Sequence, residues 1–434
     1  MDTNRLNIDD IKTDKLMPRI INFVLDQHFE SVSSILGSRN VLLKAPHVKP
    51  NQLLRLDERL AAHLDGLVVA GEFGSKLSMP AFQNPGSGEI FAAIVRAIES
   101  RNAADLEKLL VLSESLHEAL NSTLSAFGWV STASLQGITK ALLDSQNPFR
   151  RQVGLAACAM HQVNPSAVVV SALKDEDAVL RARAVRVVAD LGLLDHLSAC
   201  IDALADENPD CAYQAVRAGV LLGDRGASVS ALHSIALAPG PWRTRALGLL
   251  LKLQSTADAH VTLKALAQDP ACIRLLIQGI GTAGDPHYVP WLIQQMQDLK
   301  LSRLAGESFS FITGLDLAYL DLERKPPEGV DFGPNDDPND DNVAMDEDDG
   351  LPWPDVEKVS RWWQAHGHRF TPSKRYFMGE PPSSAHCLDV LKNGYQRQRM
   401  AAAIYLCLLK PGTPLFNCAA PAWRQQRLLA KMVA

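Results

Sequence analysis

Residues Asp175–Leu194 read DEDAVLRARAVRVVADLGLL, an acidic turn leading into a run whose small and apolar residues recur at helical spacing. Ala184, Val185, Val188 and Leu191 fall on one face of a helix. Arg181, Arg183 and Arg186 fall largely off it, and Gly192 stands where a left-handed C-cap is expected. One helix cannot bury such a stripe, so the stretch is read as one half of a helical hairpin.

The same pattern returns at a period of about 31 residues, within the range of stacked helical repeats. Upstream stands NPFRRQVGLAACAMHQ (Asn147–Gln162). Downstream stand NPDCAYQAVRAGVLLGD (Asn208–Asp224), GPWRTRALGLLLKLQS (Gly240–Ser255), DPACIRLLIQGIGTAGD (Asp269–Asp285) and a looser LSRLAGESFSFITGLD (Leu301–Asp316). A shorter apolar helix precedes each of these later stretches, as in HLSACIDALAD and HVTLKALAQD. Asn-Pro, Asp-Pro or Pro-Gly-Pro often separates the two, where a proline in the first turn starts a helix without losing a hydrogen bond. The expected fold is all-α: a HEAT-like helical-repeat solenoid with irregular helical N- and C-terminal regions and an acidic loop insertion. The divisions are a helical region over 1–123, the repeat array over 124–320, the acidic insertion over 321–355 and a second helical region over 356–434.

Composition agrees. Of 434 residues, 47% are hydrophobic and only 6% aromatic, which suits Ala, Leu and Val cores between closely packed helices. A net charge of -6 argues against a nucleic-acid groove, which needs a basic surface. The seven cysteines are scattered through apolar helices with no CxxC, which reads as small core residues in a reducing compartment. No run of 18 apolar residues occurs and MDTNRLNIDDIKTDK has no signal-peptide pattern, so a cytoplasmic chain away from membranes is expected.

Before the array, Met17–Leu36 is amphipathic and Leu53–Gly71 carries a stripe through Leu56, Leu60, Leu64 and Leu67. NPGSGE (Asn84–Glu89) could cradle a phosphate. No strand precedes it and no Lys-Ser/Thr follows, so Ser87 is read instead as an N-cap. After the array, residues 326–357 carry twelve acidic side chains and no Lys or Arg. Such a segment repels itself and is expected to be an exposed loop on a binding face. It ends in LPWPD, where Trp353 sits between two prolines and Asp355 is placed to cap the next helix. Helical patterns then resume, and Tyr395–Gly412 resembles the second helix of a repeat.

No catalytic constellation appears: there is no GxSxG, HExxH or GxGxxG. The chain is read as a non-enzyme with no cofactor and no metal. Two stretches invite a metal reading. Asp337, Asn339, Asp341 and Asp348 approach EF-hand spacing, but Asn342 replaces the glycine and the last ligand would be Asp. His366-Gly-His368, with His386 and three cysteines following, could chelate, but a helix ending at Gly367 explains it more simply. The Trp362-Trp363 pair reads as packing.

Three stretches resemble a bacterial family of HEAT-repeat proteins associated with type VI secretion gene clusters. They are RLDERLAAHLDGLVVAG (Arg55–Gly71), DDPNDDNVAMDEDDGLPWPDVEKVSRWW (Asp336–Trp363), and QRQRMAAAIYLCLLKPGTPLF with APAWRQQ (Gln396–Phe416, Ala420–Gln426). The resemblance spans nearly the whole chain. It implies association with secreted antibacterial toxins, as a cognate immunity protein or as a loading adaptor, and supplies no catalytic residue. With the repeats, it leads to a protein-binding chain that neutralises a type VI effector, a nuclease being the first target class. Candidate partner-binding residues are Asp336, Asp337, Asp340, Asp341, Asp346, Glu347, Asp348, Asp349 and Trp353. A competing expectation has the acidic loop fold back onto repeat arginines. Two further roles fit the same architecture: an effector-loading scaffold, or a nucleic-acid enzyme using Arg150, Arg151, Arg181, Arg183, Arg186, Arg243 and Arg245.

Overall fold

Asp177 starts the organising helix as its N-cap, its side chain accepting from Leu180 N at 2.8 Å. The helix runs Ala178–Leu191 and stops at Gly192, whose φ of 66° and ψ of 35° are left-handed as expected. Ala184, Val185 and Val188 are each 0% exposed, so the stripe is wholly buried. Removing such side chains from water contributes about 1.5–3 kcal/mol for each larger aliphatic residue.

The computed structural model describes residues 21–69, 86–116, 118–328, 330, 333 and 345–432 and divides into two units. Residues 1–36 and 59–126 form the first, and residues 37–58 and 127–434 the second. Both are helical. The β-structure assigned to strands among the described residues is one two-residue antiparallel pair, Glu323–Arg324 with Trp353–Pro354. No described helix is long and apolar enough to cross a membrane.

In the second unit the expected hairpins form. The short helices Ile138–Leu143, Ala167–Ala172, Leu197–Asp202, Ala227–Leu237, Thr256–Leu266 and Val289–Gln295 each pack on the longer helix that follows. The longer helices are Pro148–Met160, Ala178–Leu191, Pro209–Leu221, Arg243–Leu253, Ile273–Ala283 and Ser302–Thr313. The first three pack on one another in order, and so do the last three. Asn147 and Asn208 cap helices that begin with Pro148 and Pro209, so each Asn-Pro pair does start a helix. One apolar cluster runs through the series from Leu155 to Leu322 and takes in Phe370, Tyr376 and Cys407.

The helix Gln396–Leu409 departs from expectation. It packs on Ser384–Asn393, but it does not simply add a repeat. It lies across several longer helices in turn. Near its start Arg397 Nη1 donates to both Glu307 carboxylate oxygens at 2.9 and 3.1 Å. Further along, Tyr405 reaches the Thr282 carbonyl at 3.5 Å, with Lys252 Nζ 5.7 Å from its ring. Near its end, Cys407 lies close enough to Arg217 and Asp190 to interact with both electrostatically. A helix enclosed in this way is buried on several sides, and Ala401, Ala402, Ala403, Tyr405 and Cys407 all are. Its small-residue composition looks like that of a repeat helix for the same packing reason.

Arginines tie the returning chain down. Arg375 donates to the Leu251, Lys252 and Gln254 carbonyls at 2.5–2.7 Å and to Ala283 O at 3.1 Å, covering two helix C-termini. Arg424 does the same for Gly128, Trp129 and Val130 at 2.6–3.0 Å. Buried Arg39 and Asp57 pair at 2.6 Å. From that pair, Arg39 donates to the Ala419 and Ala420 carbonyls while Asp57 accepts from Ala422 N at 2.7 Å.

Within the first unit, Ser87–Glu99 packs on Ala103–Ser115. Its N-cap is Gly86, making no side-chain cap, so Ser87 is the first helical residue and not the cap. A Cβ on Gly88 would run into the Ser33 backbone, so a glycine here permits close helix approach.

Candidate partner-binding site

The described part of the acidic segment resumes at Met345. Asp346, Glu347, Asp348, Asp349 and Trp353 are described; Asp336, Asp337, Asp340 and Asp341 lie outside the described residues, as do Asn339 and Asn342 of the EF-hand reading. Two of the carboxylates are held by arginines of the helices Ile273–Ala283 and Ser302–Thr313. Arg303 donates to both oxygens of Asp346 at 2.7 and 2.9 Å, and Arg274 to both oxygens of Asp348 at 2.6 and 3.1 Å. These forked pairs fix direction as well as distance. The hydrogen bond to Asp348 is the main reason the Arg274 pKa is raised. Asp348 is 4% exposed, so the expectation of a solvated loop does not hold for it. The carboxylate also cannot serve calcium while it holds Arg274.

Local hydrogen bonds shape the turn. Asp348 N donates to Asp346 Oδ1 at 3.0 Å and Leu351 N to Asp348 O at 3.0 Å. Gly350 has φ of 77°, and a Cβ there would collide with the His47 ring, so both conformation and contact require glycine. The result turns Glu347 and Asp349 outward: the Glu347 side chain is 79% exposed, with one oxygen 3.3 Å from Arg274.

Trp353 is buried, with the Arg303 guanidinium 4.8 Å above its ring. Its backbone pairs with Arg324, and Asp355 N donates to Leu322 O at 2.8 Å. Asp355 then caps Val356–His366, accepting from Glu357 N and Lys358 N at 3.1 Å, as expected. Beside this arm opens a cleft of about 610 Å³, whose lining includes Trp353, Tyr395, Asp316, Asp321, Glu323 and Arg397. Tyr395 donates to Asp316 at 2.7 Å, and burial followed by that carboxylate pushes its hydroxyl pKa up. Lys49 Nζ lies 4.7 Å from the Tyr395 ring, a cation–π contact that holds the phenol in place. Burial raises the Glu307 pKa as well, against the opposing effect of Arg397.

Arg274, Arg303, Tyr395, Asp316 and Arg397 are site residues that the sequence did not single out. The signal for the first two was a lone arginine inside each of two apolar helices. Their partners stand 74 and 43 residues away, so periodicity could not pair them.

The remaining candidates have structural roles. His366 meets the Trp362 carbonyl 2.9 Å away and stacks on that indole. His386 meets Phe377 O at 2.7 Å. Trp362 and Trp363 pack edge-on to Phe309. All seven cysteines are free and buried, and burial pushes the Cys158 and Cys387 thiols up to about 11 and Cys200 to about 12. Among the described residues, no group of three or more His, Cys, Asp and Glu is placed to hold a metal ion. Comparison with protein-family models, with curated proteins and with solved structures finds no match.

Proposed function

We propose that the chain is a HEAT-like helical-repeat protein that binds another protein, and that the arm Asp346–Trp353 with its adjoining cleft is where it docks. The observation that carries this reading is the division of labour along the arm. Asp346 and Asp348 anchor it to Arg303 and Arg274, while the neighbouring Glu347 and Asp349 remain exposed at the surface. A fixed acidic ridge loses little freedom on binding and attracts a basic surface before contact.

The partner class rests on the resemblance to type VI secretion-associated HEAT-repeat proteins. On that basis the partner is a secreted effector toxin, a nuclease first, neutralised in the cytoplasm by this chain as its immunity protein. The acidic arm would obstruct a basic, phosphate-seeking cleft. A second role within the same class is an adaptor that carries the effector without inhibiting it.

Identification of the neighbouring genes, then coexpression with any effector toxin that they encode, tests both. Immunity requires a stable complex and restored growth, with both reduced by Glu347→Gln/Asp349→Asn. A complex without protection favours the adaptor, and no complex with a neighbouring effector sinks the proposal.

A further inference from the structure

The arginines considered in the sequence for nucleic-acid contact do not share one environment. Arg151 pairs with Asp175 at 2.7 Å, and Arg181 donates to both oxygens of Asp206 at 2.8 and 2.9 Å. Each of these two has a carboxylate of its own, although Arg151 Nε is buried without a hydrogen-bond partner. A second group lies together on the longer helices Ala178–Leu191, Pro209–Leu221 and Arg243–Leu253. Arg217 donates to Asp190 at 2.9 Å, while Arg186 reaches the other oxygen of that carboxylate at 3.4 Å. Arg183 feels the charge of both Arg186 and Asp190. Tyr213 feels both Arg217 and Arg245, and it stacks on Trp242 with ring centroids 4.4 Å apart. Arg245 lies 5.4 Å over that same indole.

Three guanidinium groups therefore gather around one shared carboxylate, and Arg245 flanks them across the Tyr213–Trp242 stack. Among the described residues, neither Arg183 nor Arg245 forms an ion pair. Arg183 Nε and Arg217 Nη1 are buried and have no hydrogen-bond partner, as are Arg151 Nε and Arg243 Nε; what sets the first two apart is that both stand beside one shared carboxylate. Burial, then Arg186, lowers the Arg183 pKa to about 10, so an added anion would favour its charged form. A Cβ on Gly248, one turn beyond Arg245, would meet nothing within 4 Å, so the helix face beside Arg245 is open.

We propose that Arg183, Arg186, Arg217 and Arg245 form a binding site for a phosphate-bearing ligand. Arginine forks match phosphate oxygens, and a phosphoryl group brings roughly −1.5 to −2 charge with three acceptors. One carboxylate group would supply fewer acceptors and less charge, leaving more of the four guanidiniums unmatched. The site is separate from the acidic arm and does not depend on the partner proposed above.

The test is calorimetric titration of the full chain with inorganic pyrophosphate at low ionic strength. Binding should weaken at least fivefold in Arg183→Gln and in Arg245→Gln, and stay unchanged in Arg151→Gln. Arg245 is exposed and lies against an indole, so its variant should fold normally, which circular dichroism would verify. A short single-stranded oligonucleotide forms the second arm. If it competes with pyrophosphate and needs the same arginines, the phosphate belongs to a nucleic-acid backbone; pyrophosphate binding alone assigns it to a small molecule. Failure of both to bind, binding insensitive to Arg245→Gln, or equal binding of a glutamate-rich peptide would overturn the proposal.

Discussion

Arg274 and Arg303 project from the Ile273–Ala283 and Ser302–Thr313 helices, and Arg183 and Arg217 from the Ala178–Leu191 and Pro209–Leu221 helices of the same hairpin series. The first two meet the forked carboxylates Asp348 and Asp346. The second two share Asp190 with Arg186 and keep buried N–H groups without partners. The difference shows that the acidic segment does more than alter net charge. It supplies Arg274 and Arg303 with one forked carboxylate each, whereas Arg183, Arg186 and Arg217 have a single carboxylate, Asp190, among them. A chain with a net charge of -6 can therefore still carry a concentrated basic site.

The largest expected effect concerns the helix that carries Arg183. Ala184→Asp places a carboxylate beside it on the fully buried face and should destabilise by more than about 4 kcal/mol in denaturant melts. Equal stability would mean that the two faces are not distinct. Next, Arg303→Gln leaves the Asp346 carboxylate without its fork and should cost about 2–3 kcal/mol, less than for a fully enclosed pair because both partners retain some exposure. A negligible loss would show that the arm is not anchored.

A smaller effect is pH-dependent. Hydrogen bonds from Arg181 hold the Asp206 pKa well below the usual carboxylate range, against burial. The folded value is the lower one, so this contribution is complete above the unfolded pKa of about 4 and is lost as pH falls through the folded value. Asp206→Asn should lower stability at neutral pH by about 1–2 kcal/mol and flatten the acid limb of a stability–pH curve. An unchanged limb would remove Arg181 from the set of internally neutralised arginines. The smallest effect belongs to Arg245→Gln, within about 0.5 kcal/mol, because an exposed cation over a ring stabilises little. A large loss there would place Arg245 among the structural arginines and weaken the contrast.

The hairpins were legible because each depends on local periodicity and punctuation: the Asn-Pro pairs and the acidic turn each mark a helix start, where the structure shows Asn147, Asn208 and Asp177 as N-caps. The crossing of Gln396–Leu409 was not, since an Ala-rich helix satisfies a neighbouring repeat and a covering position equally well. The candidate site was legible in half. The acidic run and Trp353 stand out in sequence, but the choice between solvent and arginine for each carboxylate depends on contacts 43 and 74 residues away. The crowding of four carboxylates into Asp346–Asp349 was a hint, since neighbouring side chains in a tight turn cannot all face inward.

The Arg39–Asp57 pair has a consequence for how the chain is made. Its remaining partners, the carbonyls of Ala419 and Ala420 and the amide of Ala422, lie 380, 381 and 365 residues along the chain. On the ribosome, the early helices emerge with this buried charge pair still awaiting those backbone groups, while the intervening hairpins can form as they appear. Closing such a long loop costs only slowly more than closing a short one, so distance is no thermodynamic obstacle. It is a matter of timing: residues 37–58 can reach their final, desolvated state only after residues 419–422 have been synthesised, which makes this clasp a late step of maturation.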